Sequence, residues 1–261
     1  MAGKILAVAT VGLACAAVAA SGPSHALRDS SELAHGCFGF PAKSFNRANC
    51  VKDSYGASPH TAGGLAVGDA AFDFTIKDVD GNAVSLADLV ATKPVLMVWG
   101  MWTCPAYQGL GTDAPFDQCS YKHEWDLVEK YQGSVHFLHL VGPEPHPAAP
   151  DVNFDAGKLL LNYWSTERQP RDYAGRVELA QRLAEYTHPG ATLLVDDLSS
   201  EPGAANNGVW CSMGLGARTA VLVGTDGKVA YSKDWFHAGD AQAAIETYFA
   251  SQKVWTGLGR E

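Results

Sequence analysis

The sequence has few basic residues and no cluster of them. It contains 19 Lys and Arg against 28 Asp and Glu, which gives a formal net charge of −9. Without a basic patch, nucleic acid is excluded as an expected partner. The most apolar stretch covers residues 5–20, which is shorter than the roughly 18 residues that a membrane-crossing helix needs. We therefore expect no transmembrane span after processing.

No two cysteines are separated by only two residues, so the Cys-x-x-Cys pair of ordinary disulfide exchange is absent. The six cysteines lie at positions 15, 37, 50, 104, 119 and 211. Cys15 belongs to the leader described next, and the odd number that remains implies at least one reduced or exchanging thiol. Cys37 and Cys50 bracket an irregular segment and are expected to form a structural disulfide.

The N-terminus has the three sections of a secretory signal peptide. Lys4 supplies the charge, residues 5–20 are apolar, and small residues follow, with cleavage expected after Ala20 or Ala26. Residues 1–26 are therefore assigned to the leader, and the protein is expected to be secreted or periplasmic. Membrane anchoring by an uncleaved leader is the alternative.

Three further regions follow the leader. Residues 27–66 lack a sustained period and are interpreted as an irregular N-terminal arm. Residues 67–255 form one domain, and residues 256–261 are a C-terminal tail. At the start of the domain, alternating residues before Asp80-Gly81 predict a β-hairpin. The continuous apolar run Val95–Trp99 predicts a central strand that is buried on both faces.

The remaining elements alternate between strands and helices. Periodicity and capping residues predict strands over 135–141, 191–195, 219–223 and 229–232, and helices over 116–131, after Asp172 and after Asp240. Strands joined by helices require parallel pairing with right-handed crossovers. The closing hairpin adds antiparallel edges. We therefore predict an α/β fold with a mixed central sheet flanked by helices.

The most informative feature is a cysteine at the end of the predicted central strand. The strand runs into Thr103-Cys104-Pro105, and Pro105 suits the first position of a helix. The N–H groups and dipole of such a helix would favour the thiolate. Cys104 is therefore the candidate nucleophile, presented at an edge rather than in the core. Thr103 is a candidate hydrogen-bond donor to the thiolate, and a structural role is the alternative for both residues.

Two pairs of motifs resemble known families. The segments 67–74 and 227–229 resemble the first strand and the final hairpin of redoxins, which implies a thioredoxin-like fold. Gly100–Pro105 (Gly-Met-Trp-Thr-Cys-Pro) and Glu144–Pro147 (Glu-Pro-His-Pro) resemble motifs of the iodothyronine deiodinase family, with Cys104 at the selenocysteine position. The resemblance implies reductive dehalogenation of an iodinated or halogenated aromatic. It also implies no bound cofactor, and a reducing thiol or thioredoxin-like protein as co-substrate.

Four other residues are candidates for the same site. His146 is a candidate acid or substrate-binding group, because imidazole titrates near neutral pH. Glu144 either orients that imidazole or is a solvated loop acid. Cys119 and Cys211 are candidate resolving thiols, and a buried, inert cysteine is the alternative for each. No metal site is expected.

Two other functions stay open. A peroxiredoxin-like or thiol–disulfide oxidoreductase would also use Cys104 as nucleophile. Met101 stands where a peroxidase has Thr or Ser, and the missing Cys-x-x-Cys counts against ordinary disulfide exchange. The third hypothesis is a non-catalytic redoxin-fold binding module, in which Cys104 would be alkylated no faster than a model thiol.

Overall fold

The fold was obtained as a computed structural model. It describes residues 26–33, 65–104, 122–145, 147–148, 166–201, 206–214, 216, 218–233 and 236–257, and the statements below concern these residues. The predictions for most of the leader and arm lie outside them, and so do those for Cys37, Cys50, Cys119 and His146. Those predictions stay predictions.

The described strands form one mixed sheet of seven, in the order β2-β1-β5-β4-β3-β6-β7. Their bounds are β1 Thr75–Asp78, β2 Ala83–Ser85, β3 Val95–Trp99, β4 His136–Val141, β5 Ala191–Val195, β6 Ala220–Val223 and β7 Val229–Lys233. β3, β4 and β5 are parallel neighbours, while β6 and β7 are antiparallel. The antiparallel hairpin of β1 and β2 joins the sheet beside β5.

The first hairpin forms where the sequence predicts it. Gly81 has a φ of 90°, which glycine adopts without steric cost. The Asp78 carboxylate accepts hydrogen bonds from the N–H groups of Asp80 at 3.0 Å and Asn82 at 2.8 Å. Helix α1, Leu86–Val90, follows directly. Ser85 caps it by accepting from the Asp88 N–H at 3.3 Å.

The core is centred on β3, whose five residues are all buried. β4 and β6 are its neighbours within the sheet, so β3 is a central strand. A strand that is buried on both faces carries a continuous run of apolar residues. The Trp99 indole N–H donates to the Gly214 carbonyl at 2.8 Å. That bond fixes the end of β3 against the segment that precedes β6.

The remaining helices agree with the sequence in part. They are α2 Lys122–Tyr131, α3 Tyr173–Leu183, α4 Gly208–Met213 and α5 Ala238–Gly257. Asp172 caps α3 as predicted and accepts from the Gly175 N–H at 2.9 Å. Asp240 is not the cap of α5, because that helix begins two residues earlier. Helix α4 was not predicted. The N–H groups of its second and third residues, Val209 and Trp210, donate to a distant aspartate that is described below.

The topology is that of the thioredoxin-like fold. A parallel unit of β3 and β4 is followed by the hairpin of β6 and β7 and a final helix, and β6 lies antiparallel beside β3. The predicted fold class is thereby confirmed. β3, β4 and β5 run in the same direction, so their carboxyl ends meet at one edge, where open α/β sheets bind ligands. Within the described ranges, no helix is both long and apolar enough to cross a membrane.

Candidate functional site

The residues after β3 form a buried turn that ends at Cys104. The Gly100 N–H donates to the Leu140 carbonyl at 3.0 Å, and the Cys104 N–H donates to the Met101 carbonyl at 3.1 Å. Cys104 holds a thiol and no disulfide. It is 0 % exposed, so the expectation of a cysteine presented at an edge rather than in the core is wrong. Met101 and Thr103 of the same turn are buried as well.

A glutamate side chain holds this turn. One carboxyl oxygen of Glu144, Oε2, accepts from the Thr103 N–H at 2.7 Å, and Oε1 accepts from the Trp102 N–H at 3.3 Å. The Thr103 side chain also hydrogen-bonds to the Glu144 carboxyl group. The contact is possible because β3 and β4 are parallel neighbours and end at the same edge. The structure therefore brings Thr103 and Glu144 together immediately before Cys104.

Glu144 is 0 % exposed, so the alternative of a solvated loop acid is wrong. Its main chain is held by the side-chain amide of Gln169. The Glu144 N–H donates to Gln169 Oε1 at 2.8 Å, and Gln169 Nε2 donates to the Glu144 carbonyl at 3.0 Å. Gln169 was missed in the sequence, where it lies in a polar segment that shows no periodicity.

A second buried acid lies at the same edge of the sheet. Asp196 directly follows β5, and its Oδ2 accepts from the Trp210 N–H at 2.8 Å, while Oδ1 accepts from the Val209 N–H at 3.3 Å. Asp196 therefore caps α4 from a distance. The guanidinium nitrogen Nη1 of Arg176, on α3, donates to the Asp196 carbonyl at 2.9 Å. The sequence signal for Asp196 is its position directly after the predicted strand over 191–195.

Burial raises the pKa of the Glu144 carboxyl above its ordinary value. The hydrogen bonds from Thr103 and Trp102 and the charge of Arg176 act in the opposite direction. Burial likewise raises the pKa of Asp196, against the charge of Arg176 and the bonds from α4. A buried carboxyl of this kind takes up a proton more readily than one at the surface. Glu144 is therefore a buried carboxyl with a raised pKa that is bonded to the turn before Cys104.

This raised pKa gives the first prediction. A carboxyl with a raised folded-state pKa loses its contribution to stability as the pH rises through that pKa. Relative to Glu144→Gln, the wild-type protein should therefore lose free energy of unfolding as the pH rises above 4.5, the unperturbed value. Urea unfolding at several pH values measures the difference. Glu178→Gln changes an exposed glutamate and serves as the control, and parallel profiles for the wild type and Glu144→Gln would contradict the assignment.

Aromatic residues border the turn on its exposed side. The rings of Trp102 and Tyr186 meet edge to face with centroids 6.1 Å apart. The Arg182 guanidinium lies 5.7 Å from the centre of the Trp102 ring. The Trp125 indole N–H donates to the Tyr186 carbonyl at 3.3 Å, and both side chains are exposed. The site therefore has an aromatic rim, which the sequence did not predict because its members come from separate elements.

The candidate resolving thiol Cys211 is oxidised. This residue lies buried on α4 and is disulfide-bonded. In this state Cys211 has no thiol, and its role as a resolving thiol stays a prediction. Cys104 keeps its thiol and is not the other half of that disulfide. The candidate resolving thiol Cys119 lies outside the described residues.

A buried acid–histidine pair joins α2 to β4. His139 Nε2 is 3.0 Å from Glu124 Oε1, and both side chains are buried. His136 lies three residues earlier on the same strand, and its Nε2 is 2.8 Å from the Thr92 hydroxyl. In the part of the chain that the structure describes, no three or more His, Cys, Asp and Glu side chains are grouped to hold a metal ion.

No protein-family model matches the sequence, and a search of curated proteins finds no match. Solved structures do match in fold. A thioredoxin-like protein from Aeropyrum pernix is 17% identical, with 67% of this chain and 89% of that chain covered and a TM-score of 0.41. A hypothetical protein from Sinorhizobium meliloti is 13% identical over 74% and 89%, with a TM-score of 0.45. The thioredoxin domain of a thiol-disulfide oxidoreductase from Bacteroides vulgatus is 16% identical over 70% and 98%, with a TM-score of 0.41. Such similarity concerns the fold alone.

Proposed function

We propose that this chain is a thiol-dependent oxidoreductase whose reacting group is Cys104. The observation that carries the proposal is the buried Glu144 carboxyl, which is bonded to the two N–H groups directly before the cysteine. A thiol must lose a proton before it attacks, and the products of its attack often need one. A buried carboxyl beside the thiol turn is suited to both tasks.

The residues of the site have distinct roles in this proposal. Cys104 attacks the substrate as the thiolate. Glu144 accepts or supplies a proton, and Thr103 orients the Glu144 carboxyl through its N–H and its side chain. His146 stays a predicted second acid. No bound cofactor is part of the proposal, and an external thiol or a thioredoxin-like protein supplies the electrons.

Reductive dehalogenation of a halogenated aromatic is the first candidate reaction. The Cys104 thiolate takes the halogen from the ring, so that a sulfur–halogen bond forms, the carbon–halogen bond breaks and the ring carbon receives a proton. One molecule of external thiol then displaces the halide and forms a mixed disulfide with Cys104. A second molecule releases the Cys104 thiol. In sum, two thiols are oxidised to one disulfide, and the aryl halide is reduced to the arene and hydrogen halide.

Reduction of a disulfide is the second candidate reaction. The Cys104 thiolate attacks one sulfur, forms a mixed disulfide and releases the other sulfur as a thiolate, which takes up a proton. One external thiol then displaces the bound half of the substrate as a second thiol and forms a mixed disulfide with Cys104, and a second external thiol releases the Cys104 thiol. In sum, two external thiols are oxidised to one disulfide and the substrate disulfide is reduced to two thiols. The reaction is supported by the single described thiol at the site, since a one-cysteine cycle of this kind needs no Cys-x-x-Cys pair.

The test is a panel of substrates with matched variants. The purified wild-type chain and Cys104→Ser are incubated with a halogenated phenol, a small disulfide or hydrogen peroxide, each with excess dithiothreitol. Mass spectrometry scores the adduct on the Cys104 peptide, and chromatography scores the product. Halide release that depends on Cys104 supports dehalogenation, and thiol release supports disulfide reduction. Consumption of peroxide alone would favour the peroxidase alternative. If no substrate gives a product that depends on Cys104, the hypothesis of a non-catalytic binding module is favoured.

A further inference from the structure

The aromatic rim extends beyond the Cys104 turn. Next to Trp102, Tyr186 and Trp125, the ring of His188 meets the Trp125 ring edge to face, with centroids 5.0 Å apart. The four rings come from the turn after β3, from α2 and from the segment between α3 and β5. Trp125 is 39 % exposed and Tyr186 is 37 % exposed, and they are two of the three large hydrophobic side chains that are exposed in the described part of the chain. The turn of the candidate nucleophile therefore adjoins an exposed aromatic surface.

The size of this surface favours a polypeptide as its occupant. The Trp102 and Tyr186 rings are 6.1 Å apart, and the Trp125 and His188 rings are 5.0 Å apart. In an extended peptide, side chains on the same face follow one another at about 7 Å, so successive side chains can contact successive rings. A single ligand ring would cover only part of the rim. Tyrosine and tryptophan are also enriched among the residues that dominate the energy of protein–protein binding.

Exposed acids surround the rim. Asp126 and Glu129 lie on α2, and Glu185 lies beside Tyr186. In the part of the chain that the structure describes, no Lys or Arg forms an ion pair with these three acids. The cation of the rim, Arg182, is already held by two glutamates, at 2.6 and 2.8 Å. The negative charge around the rim therefore complements a partner that carries Lys or Arg.

We propose that the aromatic rim docks a basic polypeptide segment and thereby brings a disulfide of the same partner to Cys104. The first ring of the rim is attached to the turn that carries the thiol, because the Trp102 N–H donates to Glu144 at 3.3 Å. The proposal rests on the proposed function, since delivery to Cys104 has a consequence only if Cys104 reacts with disulfides. Docking itself is measurable without any reaction.

The probe is a short synthetic peptide in which lysines flank a tryptophan and a cysteine follows, its sulfur joined to thionitrobenzoate. The Cys104 thiolate attacks the cysteine sulfur of the peptide and forms a disulfide with it. The bond to thionitrobenzoate breaks, and thionitrobenzoate leaves as a coloured thiolate, because the thiol of lower pKa is the better leaving group. Its release is followed in a single turnover at increasing peptide concentration, and the release that remains in Cys104→Ser is subtracted. The half-saturating concentration reports docking, and the maximal rate reports chemistry.

Variants of the rim should change docking and not chemistry. We expect Trp125→Ala and Tyr186→Ala each to raise the half-saturating concentration about five- to thirtyfold, with an unchanged maximal rate. Val67→Ala truncates the third exposed hydrophobic side chain, which is 67 % exposed and lies outside the rim, and it should match wild type. Far-UV circular dichroism confirms that each variant is folded, and if Trp125→Ala does not fold, Tyr186→Ala decides alone.

The charge of the rim is tested separately. Asp126→Asn should weaken docking at low salt, and the difference from wild type should shrink in 1 M salt because surface charges are then screened. Asp88→Asn changes an exposed acid on α1 and should match wild type. A peptide with glutamates in place of the lysines should dock less well than the basic peptide.

Three results would overturn the proposal: rim variants that dock the peptide as well as wild type, variants that lower only the maximal rate, or equal docking of the acidic and basic peptides. Full competition by phenol would make the rim a site for a small aromatic molecule and would also overturn it. Calorimetric titration with the same peptide carrying serine in place of cysteine separates docking from reaction. Binding that depends on the rim without any thiolate release would support docking and count against the proposed function, whereas release that does not depend on the rim would do the reverse.

Discussion

Replacement of Cys104 by serine is expected to lower the thiol-dependent reaction by about 10³-fold or more, to the rate without protein. A serine hydroxyl at this position is not ionised at neutral pH and does not form the sulfur adduct. The fold should survive. The side chain is buried, so a hydroxyl group there should cost about 1–3 kcal/mol of the free energy of unfolding. Product formation and urea unfolding are measured on the same preparation.

Two further variants separate chemistry from packing at Cys104. Cys104→Ala removes the thiol without adding a buried polar group, and it should be as inactive as the serine variant but more stable. Met101→Leu changes a buried neighbour in the same turn at nearly constant volume, and it should keep both the reaction and the fold. A reaction that persists in Cys104→Ala would assign the chemistry to another residue. Unfolding of both cysteine variants would make Cys104 structural.

Replacement of Asp196 by alanine is expected to cost about 3–5 kcal/mol of the free energy of unfolding. The substitution leaves the N–H groups of Val209 and Trp210 without their acceptor. It also leaves Arg176 buried with one acid fewer. Removal of one member of a buried charged group is costly because the remaining charge stays desolvated.

The neighbouring aspartate provides the control for this prediction. Asp197 is exposed, so Asp197→Ala should change the free energy of unfolding by no more than about 1 kcal/mol. Denaturant unfolding of both variants and the wild type gives the comparison. Equal losses for the two substitutions would show that the Asp196 carboxyl has no special role in the structure.

Most of the framework of the fold could be predicted from local patterns. Val95–Trp99 is continuously apolar because it is buried on both faces, and Asp172 caps α3 through a contact three residues away. Such features depend on neighbours in the sequence, so periodicity and capping rules recover them. Helix α4 could not be found in this way. The carboxylate that caps it belongs to Asp196, more than ten residues earlier in the chain.

The candidate site could be predicted only in part for the same reason. Cys104, Thr103 and Glu144 stand out by their motifs, and the parallel pairing of β3 and β4 brings them to one edge. Whether an acid in a loop is solvated or buried depends on what packs over it. In this case Gln169, which bonds to the main chain of Glu144, comes from a distant part of the sequence, so the burial of Glu144 could not be predicted.

The reactivity of the Cys104 thiol is the most direct test of the account. Iodoacetamide labelling of the native wild-type protein, scored on the Cys104 peptide by mass spectrometry across a pH series, gives the apparent pKa of this thiol. Burial in apolar surroundings acts to raise that pKa, whereas the predicted helix start at Cys104 acts to lower it. The account predicts an inflection below the ordinary cysteine value of about 8.5, with labelling faster than that of a model thiol at neutral pH. An inflection at or above that value, with labelling no faster than the model thiol, would contradict it.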